Sequence, residues 1–334
     1  LPLPDGGEVT KDEVIAWLEE CTTTAVSGHD LVSDFRNLWP YSYVQDYKFT
    51  QENNLKWEGD GNKETVFAIK YSNQFANWDY PFQKSNQICL YLGLRGQDYL
   101  RTFPFGQGWG FGTVNPKIWE EWPDDDLRKT GSIFNVTNRN EVRLYTFGAD
   151  NHVDETSYVQ KKYIPINVYA DGTHTVVKNY SQELYGNTVE NYMLNNTQDL
   201  VLIRFADVLL MAAELNLSTG KAQAYLDRVR SRVNLPSVPA TLENIKAERR
   251  FELAFEGVRF YDLLRWHDAD RVLNDNQKEI TIYRSRTETV TKTITYRPET
   301  NGFLQIPLSE MELSKGVLTA NPGWGSESAY QDIY

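Results

Sequence analysis

The chain has 334 residues, enough for one large domain or two ordinary ones, and a formal net charge of −12 at pH 7. This acidity argues against binding to nucleic acid or to an anionic membrane surface, because both select for basic patches. Aromatic residues make up 13% of the chain, a surplus that often serves flat ligands with apolar faces, such as sugars.

Cysteine and histidine are scarce. Cys21 falls in a predicted helix and Cys89 in a strand-like run, so we expect two buried thiols rather than a disulfide. The histidines show no metal-ligand spacing, and we expect no metal and no cofactor. The longest apolar run, residues 200–217, is interrupted by charged residues, as in a buried helix and not in a bilayer span.

The first predicted element is a helix over residues 11–26. Thr10 is a plausible N-cap, and Glu13 stands where a capping box needs it. The preceding LPLPDGGEV has neither the basic nor the apolar region of a signal peptide. Further along, ETVFAIKY (64–71) is predicted to form a β-strand, because an apolar run rich in strand formers is bounded by polar residues.

Residues 75–122 are the most unusual part of the sequence. They hold twelve aromatic residues interleaved with six glycines, and they show no helical periodicity. Glycine allows backbone shapes that other residues resist, and loops this long in a compact domain are usually functional. The sequence therefore predicts a long, shaped, aromatic-rich loop region, followed by short strands and turns over residues 141–195.

Helical patterns dominate the next part of the chain. The predicted helices are 198–217, 221–233, 241–257 (capped by Thr241) and 259–269. Their short connections suggest stacked antiparallel hairpins of the tetratricopeptide kind. Residues 276–300 alternate as a β-hairpin does, and FLQIP in the tail is strand-like. The predicted fold class is mainly α, with tetratricopeptide-like stacked helix pairs and a large irregular region of loops and short strands.

Several motifs occur in the order found in one known family. LIRFADVLLMAAEL, AQAYLDRVRSRVNLP, ERRFELAFEGVRFYDLLRW, FLQIPLSEM and NPGW follow one another, and HDLVSDFRNLW, ETVFAIKY and GWG followed by DDDLR match more loosely. From about residue 20 onward the chain resembles the SusD/RagB family, glycan-binding lipoproteins of the Bacteroidetes outer membrane. Residues 202–266 carry the most specific part of this resemblance.

The resemblance implies an architecture and a cellular setting. Family members are longer at the N-terminus, so the chain is expected to be the C-terminal portion of one SusD-like domain. The expected location is the extracellular face of the outer membrane, beside a SusC-like TonB-dependent transporter, with attachment through an N-terminal lipid anchor that this sequence does not contain. The implied segments are 1–45 (helix and packed loop), 46–197 (ligand-binding loops), 198–275 (helix pairs) and 276–334 (hairpin and tail).

The implied function is non-catalytic binding of an oligo- or polysaccharide. A sugar ring has a face of C–H groups, which flat side chains cover, and an edge of hydroxyls, which polar side chains bond. The predicted stacking residues are Trp78, Tyr80, Trp109 and Phe111, and the predicted edge partners are Asn77, Asp79, Arg101 and Gln107. Alternatively these rings bury one another under the loops, which is the favoured interpretation for Phe75, Phe103 and Phe105.

The run NPKIWEEWPDDDLRKT (115–130) combines two tryptophans with an acidic cluster. Asp124–Asp126 are contiguous, so they point in different directions and make a poor acid/base pair. A calcium loop prefers alternating acids and a glycine at the turn, and this run has no glycine. We interpret Asp126 and Arg128 as residues that fix a turn, with Trp119 and Trp122 packed on the helices beneath.

The charged block ERRFELAFEGVRFYDLLRW is interpreted as architectural. Its charges are spaced three apart and can pair along a helix face; the predicted pairs are Arg249/Glu252, Glu256/Arg259, Arg259/Asp262 and Asp262/Arg265. The stripe Arg204–Asp207–Glu214 is interpreted in the same way.

Two other functions fit the residues. One is a carbohydrate-active hydrolase that uses Asp79 with Glu120 or Glu121, the only candidate carboxylates near the aromatic region. The other is a protein-interaction scaffold without glycan binding, in which the aromatics are core.

Overall fold

The computed structural model describes residues 7–74, 77–79, 83–152, 154–186, 188–276 and 279–325. Its chain forms two compact units. The first comprises the residues up to Glu256 together with Ile282–Val290, and the second comprises Gly257–Thr281 and the residues from Thr291 onward.

Short helices and two-stranded sheets alternate along the chain. The described α-helices are α1 (Lys11–Thr22), α2 (Thr24–Ser27), α3 (Lys48–Glu52), α4 (Gln87–Leu92), α5 (Tyr99–Thr102), α6 (Pro116–Glu121), α7 (Leu127–Ser132), α8 (Tyr180–Tyr185), α9 (Phe205–Leu215), α10 (Ala222–Arg232), α11 (Leu242–Glu252), α12 (Arg259–Arg265) and α13 (Leu308–Leu313). The described strands are β1 (Thr65–Ile69), β2 (Ile133–Asn135), β3 (Tyr158–Gln160), β4 (Asn167–Tyr169), β5 (Val177–Asn179), β6 (Leu200–Arg204), β7 (Glu279–Tyr283) and β8 (Thr289–Thr293). They pair as β1–β6, β2–β3, β4–β5 and β7–β8.

Helix α9 is the centre of the helical part, because α1, α10 and α11 all pack against it. Its Phe205, Leu209 and Leu210 are fully buried and meet Leu226 of α10 and Ile245 of α11. The chain thus has the predicted fold, tetratricopeptide-like helix pairs beside a large irregular region. Among the described helices, none is both long and apolar enough to cross a bilayer.

The predicted helix caps are confirmed. The Thr10 side chain accepts from the Glu13 N–H, and the Glu13 carboxylate accepts from the Thr10 N–H at 2.8 Å, which completes a capping box. Thr241 caps α11 by accepting from the Asn244 N–H. The helix predicted over 11–26 is interrupted at Thr23, whose backbone is extended, so that α1 and α2 are separate helices.

Other boundaries were wrong. Residues 200–204, predicted as the start of a helix, form strand β6, which pairs antiparallel with β1. A short apolar run is compatible with a strand or a buried helix, and here the partner strand decides. Cys89, predicted in a strand, lies in helix α4 as a free, buried thiol. The FLQIP segment (303–307) forms no strand and leads directly into α13.

A cluster of buried charges joins the helices to the irregular region. Arg128, at the start of α7, is completely buried. Its guanidinium binds Asp126 through Nε and Nη2 and reaches Glu248 and Glu252 of α11 through Nη1, at 2.5 and 2.8 Å. Asp126 also accepts from the Arg128 N–H and from Trp122 Nε1. The interpretation of Asp126 and Arg128 as structural is confirmed.

Two further arginines complete this cluster. Arg204, the last residue of β6, binds Glu64, Glu252 and Glu256 at 2.5–2.7 Å. Arg232, at the end of α10, binds Glu64 at 2.9 Å and also pairs with Glu252. Each arginine presents a fixed fork of donors that matches carboxylates. Segments far apart in sequence therefore converge on the Glu252 carboxylate.

These contacts replace one of the predicted pairings within the helix. Glu252 binds Arg128, Arg204 and Arg232, while Arg249 binds Asp207 of α9 at 2.6 Å. The predicted Arg249/Glu252 pair was therefore wrong, since both side chains reach across to other segments. Farther along, in the second unit, the predicted Asp262/Arg265 pair is observed at 2.8 Å.

The second unit has a small core of its own. Leu263 of α12 packs with Ala269 and Val272, and Leu264 and Tyr296 lie against them. Gly302 has a φ of +79°, and a Cβ there would lie 2.5 Å from the Leu264 side chain. The hairpin predicted over 276–300 is observed as β7 paired with β8. Its residues up to Thr281 and from Thr291 belong to this unit.

We predict that Glu252→Gln lowers the free energy of unfolding at pH 7 by about 3–5 kcal/mol, because it leaves three buried arginines short of a counter-charge. Burial alone would raise the pKa of Glu252, but Arg232, Arg204 and Arg128 outweigh it and hold the pKa well below the ordinary value of 4.5. The stabilisation is therefore present above pH 4.5 and is lost as the pH falls below it. Urea unfolding of the wild type and of Glu252→Gln, from pH 7 to pH 3, measures the difference between their free energies of unfolding. This difference should become smaller as the pH falls.

Glu243→Gln is the matched control, since Glu243 lies on the same helix but its side chain is 77% exposed, 3.3 Å from Lys246. It should change the free energy of unfolding by less than about 1 kcal/mol. Equal effects of the two substitutions would contradict a special role for the buried cluster.

Candidate functional site

The glycine-rich segment 106–112 (GQGWGFG) lies flat against the C-terminal end of α4. Its backbone N–H groups donate to α4 and the residues after it: Trp109 to Leu90 at 2.9 Å and Phe111 to Tyr91 at 2.9 Å. A Cβ on Gly108 would lie 2.2 Å from the Leu90 carbonyl oxygen. Only a residue without a side chain permits this approach, so the glycines fix how the intervening rings are presented.

Three rings meet on the outer side of this segment. Tyr91 of α4 lies 5.0 Å from Trp109 and 6.4 Å from Phe111, measured between ring centroids. Tyr91 is 38% exposed, Trp109 37% and Phe111 64%. We call these three side chains the aromatic patch. The plane of the Tyr91 ring is inclined by 53° to that of Trp109 and by 76° to that of Phe111. The three rings therefore do not stack on one another, and each leaves part of its face exposed.

A buried polar group supports the backbone beneath the patch. Gly110, with a φ of +87°, lies between Arg95 and His152. His152 Nε2 donates to the Gly110 carbonyl at 2.6 Å, and its Nδ1 lies 2.9 Å from the Glu155 carboxylate. Glu155 is fully buried and also accepts from the Tyr145 hydroxyl at 2.7 Å. A buried side chain therefore anchors the Gly110 backbone beneath the patch.

The structure unites only some of the predicted ligand residues. Trp109 and Phe111 lie together, and they are joined by Tyr91, which the sequence interpretation had not selected. Trp78 is 53% exposed, but no ring contact within the described ranges links it to the patch. Tyr80 and Phe75 lie outside the described residues.

Three of the predicted edge partners, Asn77, Arg101 and Asp79, lie on the surface outside the aromatic patch. Asn77 Oδ1 accepts from the Asp79 N–H at 3.0 Å, so Asn77 shapes the exposed turn that carries Trp78. Arg101 lies on α5, where its Nε is 3.3 Å from Asp98 and half of its side chain is exposed. Asp79 is exposed. The described contacts bring none of these three to the aromatic patch.

The other aromatic residues of the region are mostly structural. Phe105 is fully buried and stacks on Phe134 at 4.0 Å, which confirms the interpretation that it packs in the core. Trp122 is 1% exposed and stacks on Phe251 of α11, as predicted. Trp119 stacks instead on Tyr158 of strand β3.

The candidate hydrolase carboxylates are not assembled into a pair. Glu121 forms an ion pair with Arg250 of α11, and Glu120 lies 3.7 Å from Lys117 on its own helix. No contact within the described residues joins either of them to Asp79. Nor does the described part of the chain contain a group of three or more His, Cys, Asp or Glu side chains that could hold a metal ion.

The fold and the patch together define a protein of tetratricopeptide-like helix pairs that presents exposed rings on α4 and segment 106–112, a surface suited to flat, apolar-faced molecules. A model described as the SusD family matches residues 39–324. The chain belongs to the SusD family, as its motifs predicted.

Relatives of known name are longer than this chain. Over 236 residues it is 27% identical to SusD-like protein P2 of Formosa agariphila, an alignment that covers 66% of this chain and 42% of that one. Among solved structures it is similar to a laminarin binding SusD-like protein, at 27% identity and a TM-score of 0.68, covering 94% of this chain and 59% of that one. The chain therefore spans 42% of the first relative and 59% of the second.

A second solved structure shows the fold alone. Surface glycan-binding protein A from Bacteroides thetaiotaomicron is 22% identical, with a TM-score of 0.66 over 93% of this chain and 59% of that one. The same protein has been solved in complex with laminarihexaose.

We predict that Gly108→Ala lowers the free energy of unfolding by about 1–3 kcal/mol, because the added Cβ cannot be accommodated against the α4 backbone. Thermal unfolding followed by tryptophan fluorescence measures both the loss of stability and the changed environment of Trp109. Gly172→Ala is the control, since nothing lies within 4 Å of a Cβ at Gly172. If both substitutions are equally harmless, the close packing of segment 106–112 is not needed.

Proposed function

We propose that this chain binds an oligo- or polysaccharide without breaking it, and that the aromatic patch is its main contact surface. The observation that carries the proposal is the exposure of three neighbouring rings, Tyr91 on α4 and Trp109 and Phe111 on segment 106–112. Flat side chains cover the C–H face of a sugar ring, and exposed apolar groups that lie together on a surface mark interaction sites.

The size of the patch favours weak binding. Burial of roughly 100 Å² of apolar surface stabilises a complex by about 2–3 kcal/mol. Two or three stacked rings, less the cost of immobilising the glycan, correspond to dissociation constants of roughly micromolar to millimolar. Affinity of this order suits a protein that must pass its ligand onward.

A glucan is the first ligand to test. The relative with 27% identity and a TM-score of 0.68 is named as laminarin binding, and a structural neighbour was solved with laminarihexaose. These names support laminarin as a probe, with starch, hemicellulose, mucin and N-glycan sugars as further members of a panel.

The wider role we propose follows from the family. The whole protein would be a lipid-anchored subunit on the extracellular face of the outer membrane that delivers glycan to a SusC-like TonB-dependent transporter. The chain would be the C-terminal portion of that subunit, with segments 1–45, 46–197, 198–275 and 276–334 in the roles that the sequence predicts. Co-purification of the full-length protein from native membranes measures this; recovery without any such transporter would contradict it.

A non-catalytic role is supported by the surroundings of the carboxylates. A glycosidase needs two positioned carboxyl groups on either side of one bond. Glu121 is held by Arg250, and no described contact joins Asp79 to Glu120. We therefore favour binding over hydrolysis. The protein-scaffold alternative treats the aromatic residues as core, which does not account for the exposed rings of the patch.

We predict that Trp109→Ala combined with Phe111→Ala weakens laminarin binding at least about tenfold, because two stacking faces are lost. Affinity gel electrophoresis and titration calorimetry with laminarin measure the change, and the reducing ends released from the same glycan should stay at background. Trp78→Ala, measured separately, reports whether the predicted Trp78 turn also contributes.

Trp17→Ala is the matched control, since Trp17 is 57% exposed on α1 in the helical part. It should retain wild-type affinity. Undiminished binding by the Trp109/Phe111 variant would reject the patch as the site, and release of reducing ends would favour the hydrolase.

A further inference from the structure

A concavity lies beside segment 106–112, which contributes Gln107 to its lining. It has a volume of about 270 Å³ and is lined mainly by side-chain amides and tyrosines; we call it the amide pocket. Its lining includes Tyr99, Gln107, Asn167, Asn179, Gln182 and Tyr192. This volume lies below the usual range of drug-sized sites, about 300–1,000 Å³, and suits one small ring.

Asn167 is the first sign that the pocket takes a ligand. It lies on β4 opposite Asn179 of β5, and its backbone N–H donates to the Pro104 carbonyl at 2.7 Å. Only 8% of the residue is exposed, and the residue lines the pocket. No hydrogen bond from its side-chain amide to another described residue is observed, so the donor and acceptor of this amide are available to a ligand in the pocket.

Gln107 connects the pocket to the aromatic patch. Its side-chain amide also has no partner in the described part of the chain, and it lines the pocket. Trp109 is two residues further along the same backbone, which spans at most about 7 Å. One extended molecule can therefore touch both.

Tyr192 gives a second connection. Burial raises the pKa of its hydroxyl, the charge of Asp150 raises it further, and Arg95 lowers it. Arg95 Nε donates to the Asp150 carbonyl at 2.9 Å, and the Arg95 side chain packs against Gly110 beneath the patch. Arg95 thus lies against Gly110 beneath the patch and acts electrostatically on Tyr192 in the pocket lining.

The lining defines the chemistry of the occupant. Each amide both donates and accepts hydrogen bonds, as sugar hydroxyls do, and tyrosine rings can cover a C–H face. Lys178 in the lining is paired with Glu183, and Glu190 adds a carboxylate, so an anionic group is disfavoured. This combination matches a neutral, hydroxyl-rich ring.

We propose that the amide pocket is a second subsite, which holds one neutral sugar unit at the end or branch of the glycan that crosses the aromatic patch. This inference rests on the proposed function. It assigns Asn167 and Gln107 as hydrogen-bonding ligands, a role separate from stacking.

The test is the double variant Asn167→Ala, Gln107→Ala, titrated with laminarihexaose. Affinity should fall about five- to tenfold, since two hydrogen-bonding partners are lost while the patch remains. Because neither amide is hydrogen-bonded to another residue in the described ranges, the melting temperature should not fall. Gln51→Ala, an exposed glutamine on α3, is the control and should bind as the wild type does.

The outcomes separate the two proposals. If the wild type binds laminarihexaose and the double variant binds it equally well, the second subsite is rejected while the patch stands. A loss of affinity that is accompanied by a lower melting temperature in both the double and the Asn167 single variants would make Asn167 a structural residue and also reject the subsite. If the wild type binds neither laminarihexaose nor any other neutral glycan on an array, both proposals fail.

Discussion

The buried carboxylate of Glu252 is the constraint on which the first compact unit depends. Charges removed from water must be paired, and here three arginines from three separate segments share this one acid and its neighbours. Arg128 comes from the irregular region, Arg204 from the strand that leads into the central helix, and Arg232 from the end of α10. Their convergence ties the irregular region to the helix pairs. Glu64 and Arg128 both belong to this cluster, so the segment between them, which carries the patch, is held at both ends.

From that base, glycine packing sets the shape of the exposed surface. Segment 106–112 approaches α4 so closely that Gly108 and Gly112 have no room for a side chain. Trp109 and Phe111 are thereby held outward beside Tyr91, while Phe105, a few residues earlier, is buried in the core. Rigid presentation matters energetically, because rings that are already in place need little ordering when a ligand binds.

Much of this fold could be predicted from local sequence patterns. The Thr10 capping box, the Thr241 cap and strand β1 could all be predicted from residues a few positions apart in the sequence. The partners of Arg204 and Glu252 could not, because ion pairs between distant segments leave no spacing signal. Residues 200–204 were misassigned because an apolar run does not reveal whether a partner strand is present.

The candidate site was predictable only in part. Trp109 and Trp122 were distinguished by their neighbours, since glycines flank Trp109 whereas Trp122 lies just before a predicted turn, and the structure leaves Trp109 exposed and buries Trp122. Tyr91 was missed because α4 was not foreseen. On this helix Cys89 and Leu90 are buried whereas Tyr91 faces outward. Asn167 gave no signal at all, since its place in the pocket lining is a property of the folded chain.

A crystal structure of the protein with laminarihexaose tests the central claim most directly. The account predicts an intact oligosaccharide with a C–H face of one sugar ring against Trp109 and a neighbouring ring against Phe111 or Tyr91. An oligosaccharide bound away from these rings, or one cleaved between sugar units, would contradict it.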